Sequence, residues 1–352
     1  MYILGIETSC DETAASVVHI NENSGFIKPL SNVISSQIKL HAKWGGVVPN
    51  LAAREHLKNI LPVIQTSLDE AGLAKDNIDL LAITQGPGLI PALLVGTSTA
   101  KTIAYAWKKP LLGIHHIEGH IYANFLNKQS DELEFPALCL VVSGGHTQLI
   151  LMSNHLDYTI IGETQDDAVG EAFDKVARIL NLDYPGGPIV AQKANAYQPN
   201  KSDPEIKFPR PMLNNPSFNF SFSGLKTAVL YLIKKNPEKI SDEQFIQQVC
   251  FEFQKASVEV LTIKTILAAT KYHPRTILLA GGVSANTYLQ NHLQTEISKS
   301  LPEIKFHFPE KSFQMDNAAM IATAAFFRYT QNKKTSTQFN YQEINTNANL
   351  KL

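Results

Sequence analysis

The sequence predicts an α/β protein built as two lobes, and three observations carry that expectation. Its 352 residues exceed what a single hydrophobic core usually supports. Apolar runs of strand length alternate with segments of helical spacing along most of the chain, the pattern of a sheet covered by helices. One design also occurs twice: a strand, a short polar loop and a second strand open the chain and open its second half, as in a duplicated fold.

Tyr2–Ile6 and Ala14–Ile20 are the first pair of apolar runs, and Glu7-Thr8-Ser9-Cys10-Asp11-Glu12-Thr13 between them reads as a hairpin with an acidic tip. Leu51–Leu68 sets Leu57, Ile60, Leu61, Ile64 and Leu68 at helical spacing. Leu80–Thr84 is a short buried strand that Gly86-Pro87-Gly88 turns into a helix from about Pro91 to Trp107; proline suits a first turn, whose amides have no helical acceptor. Pro110–Ile114 is a further strand, followed by a helix through His116–Leu126. The second strand pair is Ala137–Val142 and Thr147–Met152, around Ser143-Gly144-Gly145-His146. Later helices are expected at 164–182, 223–235, 242–270, 285–297 and 316–329, with a strand at Thr276–Ala280. The first lobe is read as 1–115 plus 316–330 and the second as 116–315, with the helix-rich stretch of about 164–270 inserted in it. Residues 331–352, rich in Asn, Gln, Thr and Lys, read as a loose polar tail.

Composition narrows the function classes. Thirty-one basic side chains oppose thirty-two acidic ones, for a net charge of -1. A protein that grips nucleic acid alone over a broad face carries a basic excess, so contact with RNA here calls for a local patch or a basic partner. The three cysteines, Cys10, Cys139 and Cys250, form no CxxC pair, which disfavours a disulfide framework or a zinc ribbon and suits a reducing cytoplasm. The N-terminus goes straight into a strand without a basic leader, and no apolar run reaches the roughly 20 residues of a membrane span.

Three loops are suited to a nucleotide. The first hairpin tip can offer backbone amides and hydroxyls to phosphate, with Asp11 holding a divalent ion or positioning a proton. By itself it reads rather as a solvated turn, since Asp and Glu commonly occupy hairpin tips. Val142-Ser143-Gly144-Gly145-His146-Thr147 has paired glycines that let backbone approach a ligand, or that merely close a hairpin. In Leu278-Leu279-Ala280-Gly281-Gly282-Val283-Ser284-Ala285-Asn286 a strand ends in Gly-Gly before a helix, a geometry that places a helix N-terminus beside an anionic group. Tyr184-Pro185-Gly186-Gly187-Pro188 is a fourth glycine loop. In combination they match the phosphate, phosphate and adenosine loops of the actin-like ATPase fold, an analogy that names no reaction.

A kinase of that fold has no use for Ile114-His115-His116-Ile117-Glu118-Gly119-His120. His116 and His120 stand four apart in an expected helix and share a face, so they can converge on one ion completed by a carboxylate from elsewhere. Clustered surface histidines are the ordinary alternative. Gly119 costs about 1 kcal/mol in a helix relative to alanine, which points to a close approach there. Glu118 follows His116 by two residues and points away from that face, so the HExxH protease arrangement is excluded.

With these residues assembled, the sequence resembles the tRNA N6-adenosine threonylcarbamoyltransferase family, in its bacterial branch. The motifs run from Gly5-Ile6-Glu7-Thr8-Ser9-Cys10-Asp11-Glu12-Thr13 through Trp44-Gly45-Gly46-Val47-Val48-Pro49, His116-Ile117-Glu118-Gly119-His120, Ser143-Gly144-Gly145-His146-Thr147 and Gly170-Glu171-Ala172-Phe173-Asp174-Lys175 to Asp316-Asn317-Ala318-Ala319. The resemblance implies a two-lobed actin-like ATPase fold with duplicated ribonuclease-H-like lobes. It implies transfer of a threonylcarbamoyl group from L-threonylcarbamoyl-adenylate to N6 of adenosine 37 in tRNAs reading codons that begin with A. Family metal ligands fall on His116, His120 and Asp316, with Fe(2+) the usual ion, and an adenine nucleotide or the adenylate is the further ligand, with Mg(2+) as its companion ion. Substrate contacts fall on Val141, Val142, Ser143, Gly144 and Gly145, and on Asp174, Gly187 and Asn286, of which Asp174, Gly187 and Asn286 are expected to border one pocket. Asp11 and Glu12 are the catalytic candidates. Implied partners are the tRNA anticodon loop, a paralogous protein of the same fold and a small ATPase. A small-molecule kinase of the fold and a non-catalytic ATP-binding scaffold are the alternatives.

Overall fold

β1 (Tyr2–Glu7), buried at every residue after Tyr2, is the central strand of the first sheet in the computed structural model, which describes residues 1–200, 204–335 and 341–352. β2 (Glu12–Ile20) folds back antiparallel on β1, from Tyr2 opposite His19 to Glu7 opposite Ala14. β3 (Ile27–Pro29) and β4 (Val33–Ser36) both pair with β2. After α1 (Ile38–Ala42) and α2 (Pro49–Ala71), β5 (Leu80–Gly86) enters parallel to β1 on its other edge. α3 (Ile90–Trp107) then leads to β6 (Leu111–His115), parallel to β5. Leu4 and Ile6 of β1 pack with Ile60 and Ile64 of α2 and Ala100 of α3 in one core. α4 (His116–Tyr122) begins where β6 ends, and the His115 ring caps it by accepting the Ile117 N–H at 3.2 Å.

The second sheet repeats this plan. β7 (Ala137–Val142) and β8 (Thr147–Asn154) form a hairpin around Ser143–His146, and β9 (Asp157–Glu163) extends it. Four helices follow: α5 (Val169–Ile179), α6 (Gly186–Ala196), α7 (Ser223–Lys235) and α8 (Glu243–Tyr272). β10 (Thr276–Ala280) lies parallel to β7, then come α9 (Thr287–Ser300) and β11 (Lys305–His307), parallel to β10. The strand orders β3-β2-β1-β5-β6 and β11-β10-β7-β8-β9 are the same antiparallel meander joined to a parallel run. Leu140, Leu149, Phe173, Phe253 and Leu279 belong to one core, so the inserted helices are built into this unit.

The last helix, α10 (Ala318–Thr335), returns to the first sheet. Residues Ala318–Ala322 are all fully buried, as first turns that are apolar all round require. Its approach depends on Gly5, where an added Cβ would stand 2.2 Å from the Ala318 carbonyl oxygen and 2.9 Å from the Ala322 nitrogen. Gly119 does the same for α4: a Cβ there would meet Ile321 Cδ1 at 2.7 Å. The close approach anticipated at that glycine is made by α10.

The chain divides into Met1–Glu134, Asn154–Asp157 and Phe308–Leu352 as one unit, and Phe135–Ser153 and Tyr158–His307 as the other. The expected boundaries at 115 and 316 thus move to 134 and 308, because α4 packs on α10 and on β6 and is carried with the first sheet. The expected helix 164–182 is shorter, Val169–Ile179, and the Pro-Gly-Gly loop opens α6, a helix the sequence reading does not contain. The tail also differs from expectation at its described residues. Ile344 is buried in the first core, the Asn347 amide donates to the Gln85 carbonyl at 3.0 Å, and the Gln85 amide donates to Asn345 O at 2.7 Å. A polar composition here reflects backbone pairing along the end of β5, not a loose terminus. The stretch 336–340 of the expected tail lies outside the described residues.

Gly5→Ala is expected to lower the unfolding free energy by about 1–3 kcal/mol, the usual cost of overpacking, because its methyl meets backbone atoms rather than a movable side chain. Urea denaturation of the two proteins measures it, and an unchanged midpoint would show that α10 can retreat without cost.

Candidate metal centre

His116 and His120 project from one face of α4 with ring centroids 4.6 Å apart and planes nearly perpendicular. Asp316 enters from the turn before α10: its Oδ1 stands 3.1 Å from His120 Nε2 and 3.6 Å from His116 Nε2. The three donor atoms lie within 4.8 Å of one another. Two bonds of about 2.1 Å to one ion can span at most ~4.2 Å between their donor atoms, so both separations to Asp316 fit a shared metal. His120 is buried with Nε2 against Asp316, and its Nδ1 makes no hydrogen bond among the described residues, an unmet need in a place where buried polar atoms are normally paired. Two imidazoles and a carboxylate suit a first-row transition metal, and the residues present therefore fit such an ion.

Asp316 is free for this because Asn317 takes over the helix end. The Asn317 side chain accepts the Met320 N–H at 2.9 Å, the bond a cap makes. The capping role that a carboxylate at this position could have had falls to its neighbour.

Glu7, which the sequence reading left without a role, is buried at the end of β1 beneath His116. Its carboxylate accepts from the Ser9 amide and the Thr84 hydroxyl and lies 3.1 Å from His116 Nδ1. The one available signal was a lone carboxylate closing an otherwise apolar strand. Burial opposes the charge on each member of this cluster, and the mutual attraction overcomes it. Burial depresses His116, but Asp316 and Glu7 lift it to about 9. Burial raises Asp316, but His116 and His120 bring it down to about 2. Glu7, likewise penalised by burial, is lowered by His116.

Glu118 lies on the other side of α4, as the helical geometry requires, and is fully buried. Arg328 of α10 grips it with two bonds, Nε to Oε1 at 2.5 Å and Nη2 to Oε2 at 2.6 Å. This fork fixes the helix that carries both histidines against the helix that follows Asp316.

The first hairpin tip is not a solvated turn. Asp11 and Glu12 are both buried, with Glu12 already in β2. The Gln37 amide donates to the Asp11 carbonyl at 3.0 Å, His56 Nε2 lies 2.9 Å from the Cys10 carbonyl, and the Leu89 amide donates to Ser9 O at 2.8 Å. Ser36 donates to Glu12 Oε1 at 3.1 Å. Burial, then the nearby Asp11 and Asp316, push the Glu12 carboxyl up to about 10.

In the second unit the glycine loops gather at the ends of β7 and β10. A Cβ on Gly281 (φ +87°) would stand 2.4 Å from Val142 O, and one on Gly170 would stand 2.6 Å from Ser143 O. These contacts join the Val141–Gly145 segment to the turn after β10 and to the start of α5. Gly144 and Gly145 have open space where a side chain would be. Asp174 and Gly187 are brought together directly, since Asp174 Oδ1 accepts the Gly186 and Gly187 amides at 2.9 and 3.2 Å. Asn286 caps α9 by accepting the Leu289 N–H at 3.1 Å and donates to Gln254 at 2.9 Å. Its side chain thus has a local structural duty that the sequence did not reveal.

Fold and site together define a protein of the actin-like ATPase fold that carries a two-histidine, one-aspartate donor set able to hold a metal ion. The model of the tRNA N6-adenosine threonylcarbamoyltransferase family matches residues 28–323. A tRNA N6-adenosine threonylcarbamoyltransferase of Geobacillus thermodenitrificans is 48% identical over 340 residues, covering 97% of this chain and 95% of that protein. One of Syntrophomonas wolfei is 48% identical over 327 residues, covering 93% and 92%. The chain belongs to the tRNA N6-adenosine threonylcarbamoyltransferase family. HypF from T. kodakarensis is similar in structure, with TM-score 0.59 and 12% identity over 94% of this chain and 48% of that one, which speaks for the fold alone.

Two outcomes are expected of this geometry. Arg328→Met removes the two-bond fork from the buried Glu118 carboxylate and should cost about 2–4 kcal/mol, near the lower end for breaking a buried ion pair because the guanidinium is partly exposed; thermal and urea unfolding read it. In chelator-stripped protein, His116 has a folded pKa of about 9 against an ordinary 6.5, so its charge adds stability that is whole below pH 6.5 and is lost as pH rises to 9. The melting temperature of the stripped protein should fall across that window, and His116→Gln should flatten the fall.

Proposed function

We propose that this chain transfers the threonylcarbamoyl group from L-threonylcarbamoyl-adenylate to N6 of adenosine 37 in tRNAs that read codons beginning with A, with release of AMP. The observation that carries the reading is the convergence of His116, His120 and Asp316 in a chain 48% identical, over nearly its full length, to transferases of that name.

The reaction forms an N–C bond between the adenosine amine and the carbamoyl carbon and breaks the bond from that carbon to the AMP phosphate oxygen. AMP is a good leaving group, so holding amine and donor together supplies much of the rate. The amine loses one proton. Glu12, held as a neutral acid by its surroundings, is unsuited to take it at neutral pH, and Asp11 in the same loop is the proposed acceptor. The open backbone of Val141–Gly145 with Asp174, Gly187 and Asn286 is proposed to bind the adenylate or an adenine nucleotide, with Mg(2+) where phosphates need it. His116, His120 and Asp316 would hold one divalent ion, proposed to be Fe(2+), which when bound supplies a Lewis acid toward a donor oxygen.

The acceptor is proposed to be the tRNA anticodon loop, presented with a paralogous protein of the same fold and a small ATPase, in the cytoplasm. The near-neutral charge supports shared rather than autonomous RNA binding. No helix among the described residues is long and apolar enough to cross a membrane.

The test combines purified protein, these partners, unmodified tRNA and threonylcarbamoyl-adenylate, with mass spectrometry of the digested nucleosides. Modified adenosine should accumulate with wild type. Asp11→Ala should slow formation at least 100-fold, within the usual worth of a positioned base, while circular dichroism is unchanged. Asp316→Ala should lose both metal and activity. Full turnover by either variant would remove that residue from the proposed site.

A further inference from the structure

We infer that Glu7 is the positioning residue of the metal centre: its buried carboxylate holds the Nδ1 edge of His116 as a hydrogen-bond donor, so that Nε2 is the nitrogen presented beside Asp316 and His120. The inference rests on the metal-site reading above and adds to it a residue that touches neither substrate nor ion.

The geometry leaves Glu7 little freedom. Oε1 accepts the Ser9 N–H, Oε2 accepts the Thr84 hydroxyl, and Oε2 also faces His116 Nδ1 at 3.1 Å. A backbone amide can only donate, and the threonine hydroxyl donates here, so the carboxylate is the acceptor toward every neighbour. The hydrogen between Glu7 and His116 therefore sits on Nδ1. Nε2 is then left with its lone pair when an ion binds, and it is Nε2 that stands 3.6 Å from Asp316 Oδ1. Ring orientation by a carboxylate behind the ligating histidine is how metal sites commonly fix the tautomer.

The same carboxylate joins three segments: the loop that carries Asp11, through Ser9; the end of β5, through Thr84; and the start of α4, through His116. Ser9 Oγ also stands 3.2 Å from His116 Nδ1. As a hydroxyl that can either donate or accept, it sets no tautomer of its own.

Glutamine at position 7 keeps the shape and breaks the logic. With its oxygen toward the Ser9 amide, its NH2 faces His116 and demands that Nδ1 accept, which moves the ring hydrogen to Nε2. With its oxygen toward His116, the NH2 meets the Ser9 N–H, donor against donor.

The experiment uses the full chain and Zn(2+) as a diamagnetic probe. Chelator competition gives affinity, and 15N shifts of the histidine rings in the loaded protein give the nitrogen bound. In wild type, His116 should show Nδ1 protonated and Nε2 bound to zinc. Glu7→Gln should bind zinc about 10–100-fold more weakly, the range for loss of such a supporting partner, whereas Ser9→Ala should stay within about twofold. Zinc on Nδ1 of His116 in wild type overturns the inference without recourse to any variant, so it is decided even if Glu7→Gln fails to fold. Unchanged affinity in Glu7→Gln, or a loss confined to Ser9→Ala, also overturns it. His120→Ala and Asp316→Ala separate the two readings. If both still bind zinc at wild-type strength, the metal site itself is wrong and the inference falls with it. If both lose zinc while Glu7→Gln does not, only the role of Glu7 fails.

Discussion

The approach of α10 to the first sheet and to α4 is the constraint on which the first unit depends. It is possible because Gly5 and Gly119 leave no Cβ in the path of the Ala318 carbonyl and the Ile321 side chain. Buried alanines along the helix keep the distance short, and close packing of this kind tolerates little change in volume. Once α10 is seated, the position of Asp316 two residues before it is settled, and so is its separation from His116 and His120. Glu118 and Arg328 then lock the two helices together from the opposite side of α4. Candidate metal-binding side chains far apart in sequence thus acquire fixed geometry from packing alone.

Electrostatics completes what packing begins. Glu7 and His116 are buried and Asp316 is half-buried in a chain of alternating charge, in which each member offsets the desolvation of the next. The carboxylates raise His116 to about 9 and the histidines lower Asp316 to about 2. A metal ion held through His116 Nε2 would compete with a proton for the same lone pair. Glu12 lies outside this balance. Burial first, and then the neighbouring Asp11 and Asp316, push it up to about 10.

The second unit solves another problem, bringing backbone close to backbone. Gly281 against Val142 and Gly170 against Ser143 are contacts that a methyl group would forbid, and Asp174 ties the start of α6 to α5 through two amides. The open faces of Gly144 and Gly145 are left over from this close assembly. Glycine has separate uses here: some positions admit a neighbour, and others keep space clear.

Much of this was legible in the sequence. Apolar periodicity gave the strands β1, β5, β7 and β10 and the long helices α2, α3 and α8, because local spacing reflects which side of an element is buried. The spacing of His116 and His120 placed them on one helical face, and Glu118 on the other, by helix geometry alone. Resemblance to a family added Asp316, which spacing could not supply. Other features depended on contacts remote in sequence. The acidic look of Asp11 and Glu12 suggested an exposed turn, whereas packing from α1, α2 and α3 buried it. The polar tail gave no apolar signal, yet its residues 345–350 pair with the end of β5 and with His115 through backbone atoms that composition does not report. The domain boundary after Glu134, the fork between Glu118 and Arg328 and the position of Glu7 beneath His116 were decided by tertiary structure. Each is a relation between segments some twenty to two hundred residues apart, and local propensity carries no record of which distant surface a segment will meet.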